Sequence, residues 1–327
     1  MNDYTKLDNL IQKIKSSKKS LVLAHQNPDG DTLGSMLALG SILENLGHKV
    51  DRVISDPVPE IYKFLPFTEL VYLPGSEDLQ ETYDLVFSLD CGSLKRLGKA
   101  KDLWQFADST VNIDHHISNE KFATINWIEP DATCTGQLVY WLAQAMGIKV
   151  NKEVATLLYT TLLTDTGCFS NTNTNEEALK FAAELISLGA EHINVYRKAF
   201  LERPFKAIKI FGVALNNLNL IEDGQLIWTS VDKNTMKNLS AGSEDTEDIA
   251  DHMMRTRGVK VGVFFREDEN ETKVSLRSNT EFDVSKVAME MGGGGHKRAA
   301  GINIKSPLLQ VKDVVLKKVI DELKNQK

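Results

Sequence analysis

Apolar residues fall along this chain in two alternating patterns. SLVLAH, from residue 20, is a short continuous apolar run of strand length, and DTLGSMLALGSILENLG after it has the length and spacing of a helix. KVDRVIS, YDLVFSLD and DSTVNID repeat the first pattern, while TGQLVYWLAQAMG and NKEVATLLYTTLLTD repeat the second. Strands alternating with helices predict a parallel sheet with helices on both faces, because parallel neighbours need crossover connections that cover the sheet. From Glu176 to Leu218 the pattern is helical and more polar, through EEALKFAAELISLG and PFKAIKIFGVALNNL, with Gly189 and Pro204 marking a hinge between Leu188 and Pro204. Beyond Asn219, QLIWTSVD, VKVGVFFRED and ETKVSLRS predict strands, the last two forming a hairpin around the acidic turn EDEN. DVSKVAMEM predicts a helix leading into GGGGH, and PLLQVKDVVLKKVIDELK a final helix. The expected architecture is α/β: a parallel-sheet domain over residues 1–188, a helical linker over 189–208 and a smaller α/β domain over 209–327. No internal repeat interrupts it.

At 327 residues there is material for two hydrophobic cores, and 42% hydrophobic with 25% charged residues describes an ordinary globular chain. No apolar run approaches the ~18 residues that would span a bilayer. The opening MNDYTKLDNLIQKIKSSKK is amphipathic and lacks the apolar centre of a secretory signal. A cytoplasmic protein without a membrane partner is therefore expected. Three widely spaced cysteines, Cys91, Cys134 and Cys168, suit a reducing compartment and read as small packing residues rather than ligands. A net charge of −7 weighs against a protein that coats long or duplex nucleic acid. It leaves room for a short phosphorylated substrate, because acidic residues around bound cations lower the formal charge while the cations keep the site positive.

The acidic and histidine residues gather where such a sheet binds ligands, at the carboxyl ends of its strands. In HQNPDGD, residues 25–31, His25, Asp29 and Asp31 share a strand-to-helix turn shaped by Pro28 and Gly30. Asp31 is placed to cap the helix, but capping accounts for one carboxylate and not for three potential ligands. Asp90 closes LVFSLD, Asp114-His115-His116 closes TVNI, and Asp165 interrupts an apolar helix in LLTDTGCFS. Carboxylates with a few imidazoles suit two divalent ions, Mn²⁺ first, with Mg²⁺ or Co²⁺ acceptable. Two such ions ~3.5–4 Å apart can share a carboxylate, acidify a water and neutralise phosphate oxygens, which is the chemistry of phosphate-ester hydrolysis. In the second domain, Gly293, Gly294 and Gly295 ahead of His296 would let backbone amides approach a phosphate. A flexible loop is the plain alternative for glycines alone. Arg277 and Ser278 upstream, with Lys297 and Arg298 beside the run, favour a phosphate or sugar site, Arg277 being the cation suited to paired hydrogen bonds. Arg255, Arg257 and Arg266 either add to this field or are solvated surface positions.

HQNPDGD, SLDCG, DHH and TDTG, in this order, resemble the four motifs of the DHH phosphoesterase family. SLRSNTEFDVSKVAMEMGGGGHKRAAG resembles the signature of its C-terminal substrate-binding domain, the DHHA1 type, so the resemblance runs from about Leu21 to Gly301. Carried over by position, it implies that His25 and Asp29 bind one ion and that Asp31, His115 and Asp165 bind the other, with Asp90 bridging. It further implies that His116 touches the substrate phosphate or assists the leaving group, while Asp114 orients an imidazole. The DHHA1-like end distinguishes the chain from the pyrophosphatases of the family, its length from RecJ-like exonucleases, and its lack of membrane segments from membrane-bound cyclic dinucleotide phosphodiesterases. It is most similar to the bacterial oligoribonucleases, or nanoRNases, which degrade RNA of a few nucleotides and often dephosphorylate 3′-phosphoadenosine 5′-phosphate (PAP). The implied function is a two-metal exoribonuclease that releases mononucleotides from short oligonucleotides, with PAP phosphatase activity. The alternative is a phosphodiesterase of cyclic dinucleotides such as c-di-AMP, or of linear products such as pApA. Its partners would be short oligonucleotides or nucleotide bisphosphates, and since related proteins are often dimers a homodimer is open. A nucleotide-binding regulator without catalysis finds no support, because every implied ligand is present.

Overall fold

Strand β1 (Lys19–Ala24) shows how the first half of the chain is organised. Its side chains alternate between two faces, as a strand requires. Leu21 and Leu23 join Val53, Val86, Leu97 and Ala100 in one core, while Val22 and Ala24 join Leu85, Phe87, Val111 and Ile113 in another. Both faces are buried, which is why the strand reads as an unbroken apolar run. The computed structural model describes residues 7–325, and the chain divides into two compact units between Glu202 and Arg203, inside the stretch of helical pattern.

In the first unit, helix α1 (Asp8–Ser16) precedes β1, and α2 (Gly30–Asn45) follows it. Strands β2 (Lys49–Val53), β3 (Val71–Tyr72), β4 (Tyr83–Leu89), β5 (Ala107–Asp114) and β6 (Ile125–Ile128) complete a parallel sheet in the order β3-β2-β1-β4-β5-β6. Helices α3 (Thr135–Ala145), α4 (Lys152–Asp165), α5 (Glu176–Ser187) and α6 (His192–Tyr196) follow. The strand order runs outward in both directions from the β1–β4 pair. Right-handed crossovers therefore place the connections of the two halves on opposite faces. The α-helices cover one face, and a 3-10 helix over Leu94–Phe106, kinked at Gly98, covers the other. The two-residue β3 and four-residue β6 are edge strands too short to leave a periodic signal.

Helix α2 is buried almost all round from Gly30 to Leu43, because α3 and α4 pack on it as well as the sheet. Close approach depends on small residues. A Cβ on Gly34 would lie 2.5 Å from the Thr161 methyl, and one on Gly136 would overlap the Thr161 hydroxyl. The start of α3 and the end of α4 are thereby held against the start of α2.

The second unit begins with α7 (Phe205–Asn216). Among its described residues the strands are β7 (Asn219–Ile221), β8 (Leu226–Val231), β9 (Val261–Glu267), β10 (Thr272–Ser278), β11 (Gly294–His296) and β12 (Ala299–Ile304). They form a sheet ordered β11-β12-β10-β9-β8-β7, antiparallel except for β8 and β9. The helices are α8 (Lys233–Asn238), α9 (Ile249–Met253), α10 (Val284–Glu290) and α11 (Leu308–Asn325). Val284, Val287, Val315 and Val319 of α10 and α11 pack on Val263, Phe265, Val274 and Leu276. Ile210, Met236 and Met253 of α7, α8 and α9 pack with Ile227 and Phe264, on the other face. The hairpin around the acidic turn pairs Glu267 with Thr272, in accord with the sequence pattern.

The glycine run leaves a turn at Gly292 and enters an edge strand at Gly294. Gly294–His296 pairs antiparallel with β12, and a Cβ on Gly293 or Gly295 would strike the carbonyl oxygens of Gly301 or Ala299. Packing alone thus demands glycine at those two positions, whereas Gly294 faces open space. Among the described residues no helix is long and apolar enough to cross a membrane.

Candidate metal centre

The sheet's direction of winding reverses between β1 and β4, and in such sheets the crevice at the reversal is where ligands bind. His25 directly follows β1 and Asp90 directly follows β4, while Asp114 ends β5 with His115 and His116 beyond it. Asp29 and Asp31 stand at the start of α2, and Asp165 is the last residue of α4. The cap of α2 is Asp29 and not Asp31: Asp29 accepts from the Thr32 amide at 2.9 Å. Asp31 lies one step inside the helix and turns toward α3. There it accepts from the amides of Thr135 (2.8 Å) and Gly136 (3.1 Å) and from the Ser35 hydroxyl (3.1 Å). The start of a helix favours an anion in this way. Asp90 has φ +54°, a left-handed backbone that a non-glycine residue seldom adopts outside a constrained site.

Among the described residues, three sets of side chains present ligand atoms within 4.8 Å of one another: His25, Asp29 and Asp90; Asp31, His115 and Asp165; and Asp90, His115 and His116. Asp90 belongs to two of them. Its Oδ2 lies 3.5 Å from His25 Nε2 and its Oδ1 lies 3.7 Å from His115 Nε2. Thr32 and Thr135 donate hydroxyl hydrogen bonds to it at 2.7 and 3.2 Å. The imidazoles are oriented from behind. His25 Nδ1 donates to the Gln26 carbonyl at 2.7 Å and His115 Nδ1 to the Ala132 carbonyl at 3.2 Å, which turns both Nε2 atoms toward the carboxylates. His115 Nε2 is 3.8 Å from Asp31 and 3.9 Å from Asp165. Asn173 donates to Asp165 Oδ2 at 2.9 Å.

His116 is held differently. Its Nδ1 donates to Asp114 Oδ1 at 2.7 Å, and the same oxygen accepts the amides of His115 and His116. Asp114 is fully buried, and its Oδ2 accepts from Asn119 at 2.6 Å. The bond to Asp114 raises the His116 pKa above the ordinary histidine value, against a smaller opposing effect of burial.

Burial and the neighbouring Asp90 and Asp165 push the Asp31 carboxyl well above its usual range. Asp165 is pushed up to about 6, chiefly by burial. Burial would raise Asp90 too, but bonds from His25 and Thr32 hold it below the ordinary value. The ion pairs of these carboxylates among the described residues are all with histidine. Buried carboxylates that crowd together without a lysine or arginine are costly unless cations neutralise them. The donor set therefore fits divalent metal ions. The cysteines do not take part. Cys91 and Cys134 are buried, and burial pushes the Cys91 thiol up to about 11 and that of Cys134 further above its usual value.

In the second unit, Arg277 and His296 both lie opposite Ala299, on either side of β12, and so share one face of the sheet. Arg277 lines a recess of about 390 Å³ together with Arg266, Lys273 and Asp251. Its guanidinium is held by Asp251, from Nε at 2.7 Å and Nη2 at 3.2 Å. Ser278, one residue on, alternates to the other side and is buried. Arg266 is buried and paired with Asp268 at 2.9 Å, so it is not a free surface cation. Thr32, Thr135, Asn119 and Asn173 escaped the reading of the sequence. Asn119 follows the histidine pair closely, but nothing in the sequence marks a hydroxyl inside an apolar helix as a support for a carboxylate.

Comparison with known proteins agrees with this geometry. The description "DHH family, N-terminal domain" matches residues 19–162, and "DHHA1 domain" matches residues 232–325. A protein of Thermus thermophilus named bifunctional oligoribonuclease and PAP phosphatase NrnA is 32% identical, over 92% of this chain and 89% of its own length. A Bacillus subtilis protein of the same name is 26% identical over 91% of this chain and 93% of its own. The crystal structure of an exopolyphosphatase-related protein from Bacteroides fragilis superposes with a TM-score of 0.90 at 25% identity, covering 100% of both chains. This chain belongs to the DHH family of phosphoesterases, with the catalytic type of domain followed by a DHHA1 domain.

Proposed function

We propose that this protein is a metal-dependent phosphoesterase that degrades oligoribonucleotides of a few residues to mononucleotides and removes a phosphate from PAP. The reading rests on family membership, on relatives named for both activities along nearly their whole length, and on one structural observation. Buried Asp31 and Asp90 and half-buried Asp165 converge with His25 and His115 where the sheet's winding reverses.

His25 and Asp29 would hold one divalent cation, and Asp31, His115 and Asp165 a second, with Asp90 contributing to both. Carboxylate and imidazole donors favour Mn²⁺, with Mg²⁺ or Co²⁺ as substitutes. When bound, the ions supply charge neutralisation at the phosphate oxygens and a water acidified for attack. Thr32 and Thr135 keep Asp90 turned into the site. His116 keeps its Nδ1 proton on Asp114, and its raised pKa favours a proton on Nε2 that a departing oxygen can take. Arg277 and His296 would anchor a phosphate or sugar of the substrate on the second unit, near Gly294, whose surroundings leave space for a ligand. The free cysteines suit an enzyme of the reducing cytoplasm.

The test is Mn²⁺-dependent release of mononucleotides from a five-nucleotide RNA and of phosphate from PAP, run beside pApA and c-di-AMP. The expected result is turnover of RNA and PAP that is abolished by Asp90→Ala. Hydrolysis of the cyclic dinucleotide alone would overturn the proposal.

A further inference from the structure

We infer that a recess beside Asp29 and Asp165 is a nucleobase subsite, in which Tyr62 and Phe200 receive the base of the nucleotide whose phosphate is cleaved. The inference rests on the function proposed above. The recess lies wholly within the first unit and has a volume of about 360 Å³. That is at the small end of the ~300–1,000 Å³ typical of small-molecule sites, room for one nucleoside and not for a strand.

Its lining divides by chemistry. Asp29 and Asp165 both line it, and each comes from a different one of the ligand groups. Tyr62 and Phe200 supply aromatic surface, with Thr164 and Asn171 as neutral polar neighbours. Among the described residues no lysine, arginine or histidine lines the recess, so it is unsuited to a second phosphate and suited to a neutral planar ring. Tyr62 ends the 3-10 turn Glu60–Tyr62, and Phe200 lies in the π-helical turn Arg197–Leu201, a form that recurs at functional sites. The two turns touch each other. Both rings are half-buried against the core of the first unit, and Phe200 stacks on Tyr196 with ring centroids 6.0 Å apart and planes at 22°. One part of each ring is thereby anchored while another part remains accessible. A phosphate held by the cations that Asp29 and Asp165 would help to bind would leave its own nucleoside within reach of these rings. Stacking reads the face of a base and not its edge, so the subsite would accept all four bases.

Removing the base from the substrate tests this directly. In the wild type with Mn²⁺, kcat/KM on a dinucleotide should fall roughly 5- to 150-fold when the nucleotide bearing the scissile phosphate is made abasic, the range that base–aromatic stacking provides. Phe200→Leu and Tyr62→Leu should each lower kcat/KM on the intact dinucleotide while lowering it far less on the abasic one. Phe200→Tyr and Tyr62→Phe, which keep a ring, should restore the discrimination. Independently of turnover, saturation-transfer NMR should show magnetisation passing from the protein to H2 and H8 of AMP, and Phe200→Leu should weaken it. Equal losses on both substrates, or no discrimination by the wild type, would overturn the subsite. If no short RNA is cleaved, the functional reading fails, while the NMR arm still decides whether a base is bound.

Discussion

Asp90 concentrates the demands placed on single residues. Its left-handed backbone turns the carboxylate back over the ends of β1 and β5, and two threonine hydroxyls hold it there. Thr32→Val removes one hydroxyl and with it a neighbour of His25. Mn²⁺ affinity measured by calorimetry should fall ~10–100-fold, the usual effect of losing a group that orients a ligand. His116→Ala should instead lower kcat by ~10²–10⁴ while Mn²⁺ content stays at the wild-type level. The elevated carboxyls give a pH dependence. An acid whose folded pKa lies above its unfolded value favours the fold at low pH, and this contribution is lost as pH rises through the folded value, here about 6 for Asp165. Metal-free protein should therefore lose stability as pH rises from about 4 through about 6 by way of Asp165, with Asp31 acting in the same direction. Mn²⁺ should raise Tm more at about pH 7.5 than at about pH 5.5, in thermal unfolding followed by circular dichroism. A smaller gain at the higher pH would contradict this account. The charged residues of the centre were legible because carboxylates and imidazoles at apolar strand ends are conspicuous. The threonines were not, since a buried hydroxyl and a solvated one are spelled alike. Asp31 was misjudged as the cap because either carboxylate of the turn could serve, and only the path of the backbone selects Asp29.

Among the elements, α2 carries the greatest structural burden, since α3, α4 and the sheet all pack on it. Gly136→Ala would drive a methyl into Thr161 and shift the amide that Asp31 accepts. Overpacking of this kind costs ~1–3 kcal/mol, so a lower Tm accompanied by weaker Mn²⁺ binding is expected. The long strands and helices were visible in the sequence because burial on two faces, or on one, writes a period. β3 and β6 escaped because a few residues cannot show one, and the 3-10 helix over Leu94–Phe106 because it lacks the α-helical repeat and is kinked at Gly98. The glycine run was legible only in part. Glycine permits many conformations, and only the proximity of β12 reveals that two of the glycines are there for an edge strand.

For the whole molecule, the proposed function assigns the chemistry to the first unit and substrate capture to the second. Arg277→Ala should raise KM for short RNA and lower kcat/KM while leaving Mn²⁺ affinity intact, which is the reverse of the expectation for His115→Ala. Unchanged kinetics would remove Arg277 from the binding surface. In the metal centre itself, residues far apart in sequence become neighbours through one seam of the sheet. Ala24 pairs with Leu89, so the next residue on each strand is His25 or Asp90. Slippage by a single position would turn every side chain of the strand to the opposite face. Backbone pairing along β1 and β4 is therefore the ruler of the candidate metal centre, and a change that shortens or lengthens either strand would miscalibrate it even with every candidate ligand retained.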